Sequence, residues 1–272
     1  KNNVLLTVFN RSAGPAEILV KAGAKEALSC TEAVKNADIV FTMLSTPEAV
    51  ARVALSDTGF ISVMKKNAVW ADCSTVNPSF SLLCSKKAAE HNVRFIDAPV
   101  AGSKPNAEKG ELVFFTGGDP GSISEIEPYL KYMGNKIINA GDTGKGTSLK
   151  MLVNSLLAQS MLIFSETLLL GERLGLSKDF LLDTLPGLPV SAPFTKAKAE
   201  MIRADKYELQ FPLEWMHKDL HLAALTAYEN NQPLYSVNIA KEIYADAKKS
   251  GFGREDFSAV YKFLSKKNEP SL

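Results

Sequence analysis

A lysine and an asparagine lie four residues apart at the start of a long apolar segment, Lys150 and Asn154 in GDTGKGTSLKMLVN (residues 141–154). If this segment is helical, the two side chains lie on one face and can act on the same substrate atom. Burial in so apolar a helix disfavours the charged form of a lysine, which lowers its pKa towards the range useful for acid–base catalysis. The alternative is a lysine whose ammonium group reaches water from the first helical turns.

Polar or glycine-rich residues follow three other apolar segments. Asn10-Arg11-Ser12 contains no acidic residue, and such a strand end favours NADP over NAD because an arginine and small hydroxyls accommodate a 2′-phosphate; a solvated Arg11 is the alternative. Residues 72–78 (DCSTVNP) offer hydroxyls and amides to a nicotinamide or a carboxylate, or form an ordinary helix cap. Residues 97–110 (DAPVAGSKPNAEKG) predict a nest of free amides for an anion, or a plain surface loop.

A fifth segment has charged residues on a later helical pattern. Lys218-Asp219 follows Phe211-Pro212-Leu213 and could close a site from the second half of the chain, or belong to a solvated helical face.

The elements that must position these residues form two groups. In the first half, short apolar runs alternate with amphipathic ones, which indicates βαβ units and a parallel sheet covered on both faces. Helix starts are predicted with Thr31 as an N-cap, at Pro47 and at Pro78. Ligands of such sheets bind outside the carboxyl ends of the strands. The predicted strands are Val4–Phe9, Ile39–Leu44, Ala68–Ala71, Arg94–Ala98 and Val113–Thr116.

After the glycines at 141, 144 and 146, only helical patterns follow. The sequence therefore predicts an α/β protein with a Rossmann-type domain over residues 1–142 and an all-helical domain over residues 143–272. The segment Met151–Leu170 is nearly all apolar, and we expect it to be covered on every side, in the domain core or in a dimer interface rather than in a membrane. The predicted helices are Thr147–Leu174, Lys178–Leu185, Phe194–Arg203, Glu214–Glu229 and Leu234–Ser250.

The glycine-rich turn that cradles a pyrophosphate is missing, because nothing before Val4 can hold a strand, a GxGxxG turn and a helix. If Val4–Phe9 is the second strand, we expect the first βα unit of about 25 residues to lie outside this sequence.

Composition excludes several classes of function. Lys and Arg number 31 against 30 Asp and Glu, so no net positive field is available to bind nucleic acid or an anionic membrane. Cys30, Cys73 and Cys84 show no CxxC spacing, and the three histidines show no metal-ligand spacing. We therefore expect no disulfide framework and no metal, and, with no signal peptide recognisable at the start, a cytoplasmic protein.

In order along the chain, the motifs resemble the β-hydroxyacid dehydrogenase family (3-hydroxyisobutyrate dehydrogenase-related), in its branch of glyoxylate and succinic semialdehyde reductases. VFNRS is similar to the NADP-selecting strand end, DCSTVNP to DxSTxxP, and DAPVAGSKPNAEKGEL to the substrate loop. GDTGKGTSLKMLVN is similar to the catalytic helix GxxGxGxxxKxxxN, and FPLEWMHKDLHLA to the closing segment. Five motifs in order are specific, and they imply a helical domain like the C-terminal one of 6-phosphogluconate dehydrogenase.

The resemblance implies a role for each matching residue. Lys150 would be the general acid in reduction and the base in oxidation, while Asn154 would hold the substrate oxygen. The implied substrate contacts are Val100, Ala101, Gly102, Phe211 and Asp219, and the implied NADP(H) contacts are Asn10, Arg11, Ser12, Leu44, Ser45, Thr75 and Lys218. Ala101 departs from the usual serine, which removes one hydroxyl donor to the substrate carboxylate.

The implied activity is NADPH-dependent reduction of small carboxylate-bearing aldehydes, such as glyoxylate and succinic semialdehyde, by a homodimer or homotetramer. Two enzymatic alternatives stay open, 3-hydroxyisobutyrate dehydrogenase and tartronate semialdehyde (2-hydroxy-3-oxopropionate) reductase. A third alternative is a non-catalytic dehydrogenase-like scaffold, although such relatives have lost the catalytic lysine that is present here as Lys150.

Overall fold

The computed structural model describes residues 4–267; residues 1–3, which the predicted first domain includes, lie outside the described range. The chain forms two compact units. The first comprises the described residues up to Gly102 together with Asn106–Lys150, and the second comprises Ser103–Pro105 together with the described residues from Met151 onwards. The units thus divide at residue 150, whereas the sequence predicts a boundary at 142.

The first unit is built from strands alternating with helices, as the alternation of apolar runs predicts. Its strands are β1 Thr7–Val8, β2 Lys25–Glu26, β3 Ile39–Thr42, β4 Val69–Asp72, β5 Arg94–Asp97, β6 Val100–Ala101, β7 Leu112–Gly117 and β8 Gly134–Gly141. Its helices are α1 Ala13–Lys21, α2 Cys30–Val34, α3 Pro47–Val50, α4 Pro78–Glu90, α5 Lys104–Lys109 (whose first two residues group with the second unit) and α6 Pro120–Met133.

The main sheet has the order β3-β4-β5-β7-β6, with β8 paired to β7. β3, β4 and β5 are parallel, as predicted, but β7 is antiparallel to both β5 and β6. The prediction of a purely parallel sheet is wrong in this detail. Only ten residues, with the short helix α5, separate β6 from β7, and a parallel crossover needs a dozen or more, so the chain turns back instead.

The predicted strand Val4–Phe9 is also shorter and differently placed than expected. Only Thr7–Val8 is a strand, and it pairs with β2 in a separate two-stranded sheet. Among the described residues no strand pairs with the other edge of β1, and Leu5 and Leu6 are exposed. We attribute the separation to that open edge.

Aromatic and aliphatic side chains cover both faces of the main sheet. On one face, the indole of Trp70 packs edge-on against Phe60 and Phe95, with ring centroids 5.3 and 4.9 Å apart. On the other face, Ile96 packs with Ile126 from α6 in a second buried cluster. Burial of such rings and branched chains is the main stabilisation of the unit, and it fixes the strand ends that carry polar residues.

The second unit is all helical, as predicted. Its helices are α7 Lys145–Arg173 (whose first residues group with the first unit), α8 Lys178–Thr184, α9 Thr195–Arg203, α10 Leu213–Glu229, α11 Tyr235–Ala247 and α12 Val260–Lys267. The last long helical pattern, predicted to Ser250, ends as an α-helix at Ala247 and continues as a π-helical turn, Lys248–Phe252, in which Gly251 has a φ of 95°.

One face of α7 forms the core of this unit through Ala158, Met161 and Leu168. The opposite face carries an apolar stripe that is 60 to 68% exposed, formed by Leu152, Leu156, Ile163 and Leu170. Within one chain α7 is therefore covered on one face, and coverage of the stripe by a second copy stays a prediction. By length and composition α7 could cross a membrane, a test that core helices also pass.

Local capping differs from the prediction at α2. Ser29, not Thr31, is the N-cap, because its hydroxyl accepts the N–H of Glu32 while Thr31 lies inside the helix. The helices predicted at Pro47 and Pro78 do begin there.

Candidate active site

Lys150 lies in the second turn of α7 with only 8% of its surface exposed. Asn154, one turn further along the same helix, is 2% exposed. Both predicted catalytic residues are therefore buried and share one helical face, as their spacing predicts. The Lys150 side chain is thus largely removed from bulk water.

The start of α7 is anchored by Asp97 at the end of β5. Its Oδ1 accepts the N–H of Gly144 and its Oδ2 accepts the N–H of Thr147, both at 2.7 Å. The first N–H groups of a helix have no partner within the helix, and a carboxylate is the favoured acceptor at this positive end. Asp97 is the first residue of the predicted substrate loop, but no separate role was predicted for it from the sequence.

The helix start packs closely on β7 because two glycines allow it. A Cβ at Gly146 would overlap the carbonyl oxygen of Phe115 and lie 3.0 Å from Asp97 Oδ2. A Cβ at Gly117 would lie 2.7 Å from the nitrogen of Gly146. The absence of side chains at these glycines allows the two backbones to come close, and this brings the Asp97 carboxylate to the start of the helix.

The predicted substrate loop, residues 100–102, is partly a strand. The pairing of Val100 with Phe114 in β7 requires the Ala101 N–H to bond the Val113 carbonyl, since the Phe115 N–H bonds Pro99. The expected run of free amides is therefore interrupted at Ala101. Gly102 has a φ of 112°, and a Cβ there would lie 3.0 Å from Leu112, so this turn needs glycine.

A second buried carboxylate, Asp72, joins the loops that follow β3 and β4. Its Oδ1 accepts the hydroxyls of Thr42 (2.7 Å) and Ser74 (2.6 Å), and the Ser74 hydroxyl oxygen accepts the N–H of Leu44 (2.8 Å). Burial raises the pKa of Asp72 to about 6, against the lowering effect of these hydrogen bonds. Any cofactor contact of Leu44 must therefore use its side chain or carbonyl group, because its N–H is already bonded.

The other predicted cofactor contacts in this unit lie at strand ends. Ser45 is exposed after β3, and Thr75 is partly buried after β4. After β1, Asn10, Arg11 and Ser12 are exposed, and the Asn10 amide donates to the carbonyl and hydroxyl oxygens of Ser12. Ser12 precedes α1 without capping it through its side chain, so the N–H groups of Ala13 and Gly14 have no acceptor from Ser12, and Pro15 has no N–H.

In the second unit, Asp219 on α10 holds Asn154. The Asn154 amide donates to Asp219 Oδ2 at 2.6 Å, and the Lys218 ammonium lies 2.8 Å from Oδ1. The contact with Lys218 is an ion pair rather than a directed hydrogen bond, because Oδ1 accepts none from the described residues. A carboxylate only accepts hydrogen bonds, so Asp219 fixes which end of the Asn154 amide faces it.

The backbone of Phe211, the remaining predicted substrate contact, is fixed on both sides. Its N–H donates to Asp256 Oδ2 at 3.2 Å, and its carbonyl accepts the N–H of Phe257 at 2.9 Å. The buried Lys198 ammonium neutralises Asp256 at 2.9 Å. This ion pair joins residues 58 positions apart, which no local sequence signal reveals.

Both halves of the chain match known families. Residues 1–141 match the NAD binding domain of 6-phosphogluconate dehydrogenase, and residues 144–264 match the NAD-binding domain of NADP-dependent 3-hydroxyisobutyrate dehydrogenase. The chain is 34% identical to glyoxylate/succinic semialdehyde reductase 2, chloroplastic, of Arabidopsis thaliana over 95% of this chain and 72% of that protein.

The chain belongs to the β-hydroxyacid dehydrogenase family.

Other members of the β-hydroxyacid dehydrogenase family are comparably similar. The 2-(hydroxymethyl)glutarate dehydrogenase of Eubacterium barkeri is 32% identical over 96% of this chain and 87% of its own length. The structure of Mycobacterium tuberculosis 3-hydroxyisobutyrate dehydrogenase with L-serine superposes with a TM-score of 0.86 at 28% identity, covering 96% of this chain and 91% of that one. The expected fold, with a Rossmann-like domain and a helical domain, is confirmed by these matches.

A β-hydroxyacid dehydrogenase is an oxidoreductase that binds a nicotinamide cofactor, and the strand ends of the first unit fit one in part. Arg11, the first N–H groups of α1 and Ser45 are donors of the kind that phosphate and ribose groups accept. A glycine-rich pyrophosphate turn is absent from residues 4–267. Within the same range no group of three or more His, Cys, Asp or Glu side chains is arranged to hold a metal ion.

Proposed function

We propose that this protein is an NADPH-dependent reductase of small carboxylate-bearing aldehydes, with Lys150 as the proton donor. The observation that carries the proposal is the burial of Lys150 and Asn154 on one face of α7, one helical turn apart. Burying two polar side chains in so apolar a helix costs free energy, because each loses its hydration and needs a partner such as the one Asn154 has in Asp219. Buried polar groups of this kind are typical of functional sites.

The nicotinamide, when bound, supplies a hydride to the aldehyde carbon, and the carbonyl oxygen becomes an alkoxide. Lys150 then transfers an ammonium proton to that oxygen, so the product is the hydroxyacid and the lysine is left neutral. Asn154 holds the same oxygen with its second amide hydrogen, since the first is bonded to Asp219. In the oxidative direction Lys150 starts neutral and removes the hydroxyl proton.

The carboxylate of the substrate is assigned to residues 100–102. The Val100 amide points away from β7, because antiparallel pairs alternate, and Gly102 lets the backbone approach a ligand closely. The preference for NADPH is supported by Arg11 beside the uncapped start of α1, with no acidic residue in Asn10-Arg11-Ser12 to repel a 2′-phosphate.

The decisive experiment is Lys150→Ala. We expect turnover to fall by a factor of about 100 or more while the NADPH dissociation constant changes little, as for loss of a general acid. Lys145→Ala is the matched control, because Lys145 is on the same helix but exposed. Unchanged turnover in Lys150→Ala would remove this residue from the mechanism.

A substrate panel separates this proposal from its alternatives. Steady-state rates with glyoxylate, succinic semialdehyde, tartronate semialdehyde and 3-hydroxyisobutyrate are compared with each cofactor. The proposal expects the highest kcat/KM with NADPH and one of the first two, whereas preference for NAD with 3-hydroxyisobutyrate would overturn it. Absence of activity with every substrate would favour the non-catalytic scaffold.

We also propose a homodimer or homotetramer in which a second copy covers the exposed stripe of α7, Leu152, Leu156, Ile163 and Leu170. An apolar stripe of this length is unfavourable in water. Light scattering of the wild type and of Leu156→Lys tests this: the wild type is expected to give a multiple of the 29.5 kDa chain mass and the variant a smaller species.

A further inference from the structure

We infer that Asp97 is a positioning residue for Lys150, fixing the start of the catalytic helix from the neighbouring strand β5. The inference rests on the proposed function, because it gives Asp97 its effect through the proton donor.

The first step is that α7 has no cap of its own. Gly144, immediately before the helix, has a φ of 87° and no side chain. An N-cap side chain normally accepts the N–H three residues into the helix, here that of Thr147. Asp97, at the end of strand β5, supplies that acceptor with one carboxylate oxygen, and its other oxygen accepts the N–H of Gly144.

The second step is that the anchor is complete and buried. Asp97 is 1% exposed, and the Thr147 hydroxyl also bonds it while lying 2.9 Å from the Ser81 hydroxyl of α4. The carboxylate oxygens also lie close to Gly117 and Gly146, where an added Cβ would be 2.8 Å from Oδ1 and 3.0 Å from Oδ2. A buried carboxylate that is hydrogen-bonded through both oxygens therefore sets where the first turn of α7 begins.

The third step is the short path from this anchor to the chemistry. Lys150 follows Thr147 by three residues, a rise of about 4.5 Å along the helix. In the other direction, the loop assigned to the substrate carboxylate begins three residues after Asp97. Asp97 thus lies between the group that binds the substrate and the group that protonates it, and a displacement of about 1 Å at a proton donor lowers the rate about 100-fold.

The first test compares Asp97→Asn with Asp119→Asn. Asp119 is the control for the loss of a capping carboxylate, because it accepts the N–H of Ser122 at the start of α6 at 2.7 Å and is an exposed, local N-cap of another helix. We expect kcat to fall about 10- to 100-fold in Asp97→Asn and less than about two-fold in Asp119→Asn, with the NADPH dissociation constant unchanged in both. Equal kcat in the two variants would overturn the inference.

The second test is a double-mutant cycle with Lys150→Ala, measured by single-turnover kinetics. If Asp97 acts through Lys150, adding Asp97→Asn to Lys150→Ala lowers the rate by less than about two-fold, because the group it positions is gone. Full multiplication of the two losses would overturn the inference while leaving the role of Lys150 intact. Full turnover in Lys150→Ala alone would refute the proposed function, and the positioning role with it.

A third measurement is independent of activity. Hydrogen exchange in a peptide spanning residues 142–151 is expected to be faster in Asp97→Asn than in the wild type and unchanged in Asp119→Asn. If Asp97→Asn does not fold, Thr147→Val is used instead, because it removes the hydrogen bond from the Thr147 hydroxyl to the Asp97 carboxylate. We expect this variant to show the same changes in exchange and kcat, with a smaller magnitude. Unchanged exchange and kcat in the variant that folds would overturn the inference.

Discussion

Asp72 and Asp97 lie directly opposite each other on β4 and β5, and each carboxylate is 1% exposed. Burial is the largest cause of the raised pKa of both carboxyl groups, and the neighbouring negative charge of Asp97 raises the pKa of Asp72 further. Each joins segments that carry predicted site residues, Asp72 through Ser74 to Leu44 and Asp97 through Thr147 to α7.

The raised pKa of Asp72 predicts a pH dependence of stability. Its folded value of about 6 lies above the ordinary 3.8, so folding favours the protonated form. The resulting stabilisation is fully present below about pH 4 and is lost as the pH rises through about 6, an effect on the order of 3 kcal/mol. Urea unfolding from pH 4 to 7 should show wild type losing stability relative to Asp72→Asn as the pH rises.

Asp119→Asn provides a control of opposite sign for that series. Hydrogen bonds from Ser122 hold the pKa of Asp119 below its ordinary value, so its contribution is present above about pH 4 and lost as the pH falls. Parallel curves for the two variants would contradict the assignment for Asp72.

Arg11→Ala is predicted to weaken NADPH binding far more than NADH binding. A 2′-phosphate forms charge-assisted hydrogen bonds with a guanidinium, and NADH has no such group. Fluorescence titration with both cofactors gives the two dissociation constants; Lys21→Ala, at the other end of α1, is the control. Equal losses for the two cofactors would refute the phosphate assignment.

Asp219→Asn is predicted to lower both turnover and stability. The Asn154 amide loses its acceptor of fixed orientation, and the Lys218 ammonium loses its ion-pair partner. We expect the free energy of unfolding to fall by about 1–3 kcal/mol. Glu242→Gln, which breaks a more exposed pair with Lys241, should change it by less than about 1 kcal/mol. Wild-type turnover in Asp219→Asn would show that Asn154 needs no such support.

Ala101→Ser is predicted to lower the KM for carboxylate-bearing aldehydes by up to about 10-fold, because it restores a hydroxyl donor where the family usually has one. The KM for an uncharged aldehyde such as propanal and the KM for NADPH should not change. An equal effect on propanal would indicate altered packing of β6 rather than a new bond to the carboxylate.

Periodic features of the sequence predicted the architecture well. The long apolar pattern predicted α7 to within two residues at its start and one at its end, and β3, β4 and β5 are parallel, as predicted. Helical and strand periods are set locally by which face is buried, so a single sequence contains them.

Features that depend on distant residues were not predicted. The antiparallel return of β7 follows from the length of the connection after Ala101, and the exposed stripe of α7 is as apolar as its buried face. In the sequence, Asp97 looks like any other polar residue at the end of a strand. Its role depends on Gly144 and Thr147, nearly fifty residues away, which only the folded chain brings to it.

The small sheet of β1 and β2 has only two pairs of residues in register, and β1 ends three residues before Arg11. Two-stranded pairs of this size are marginally stable alone, so the stability of this corner depends on what packs against it. A dinucleotide held there would favour the closed form by mass action. Heat resistance of the protein should then grow with the concentration of the coenzyme.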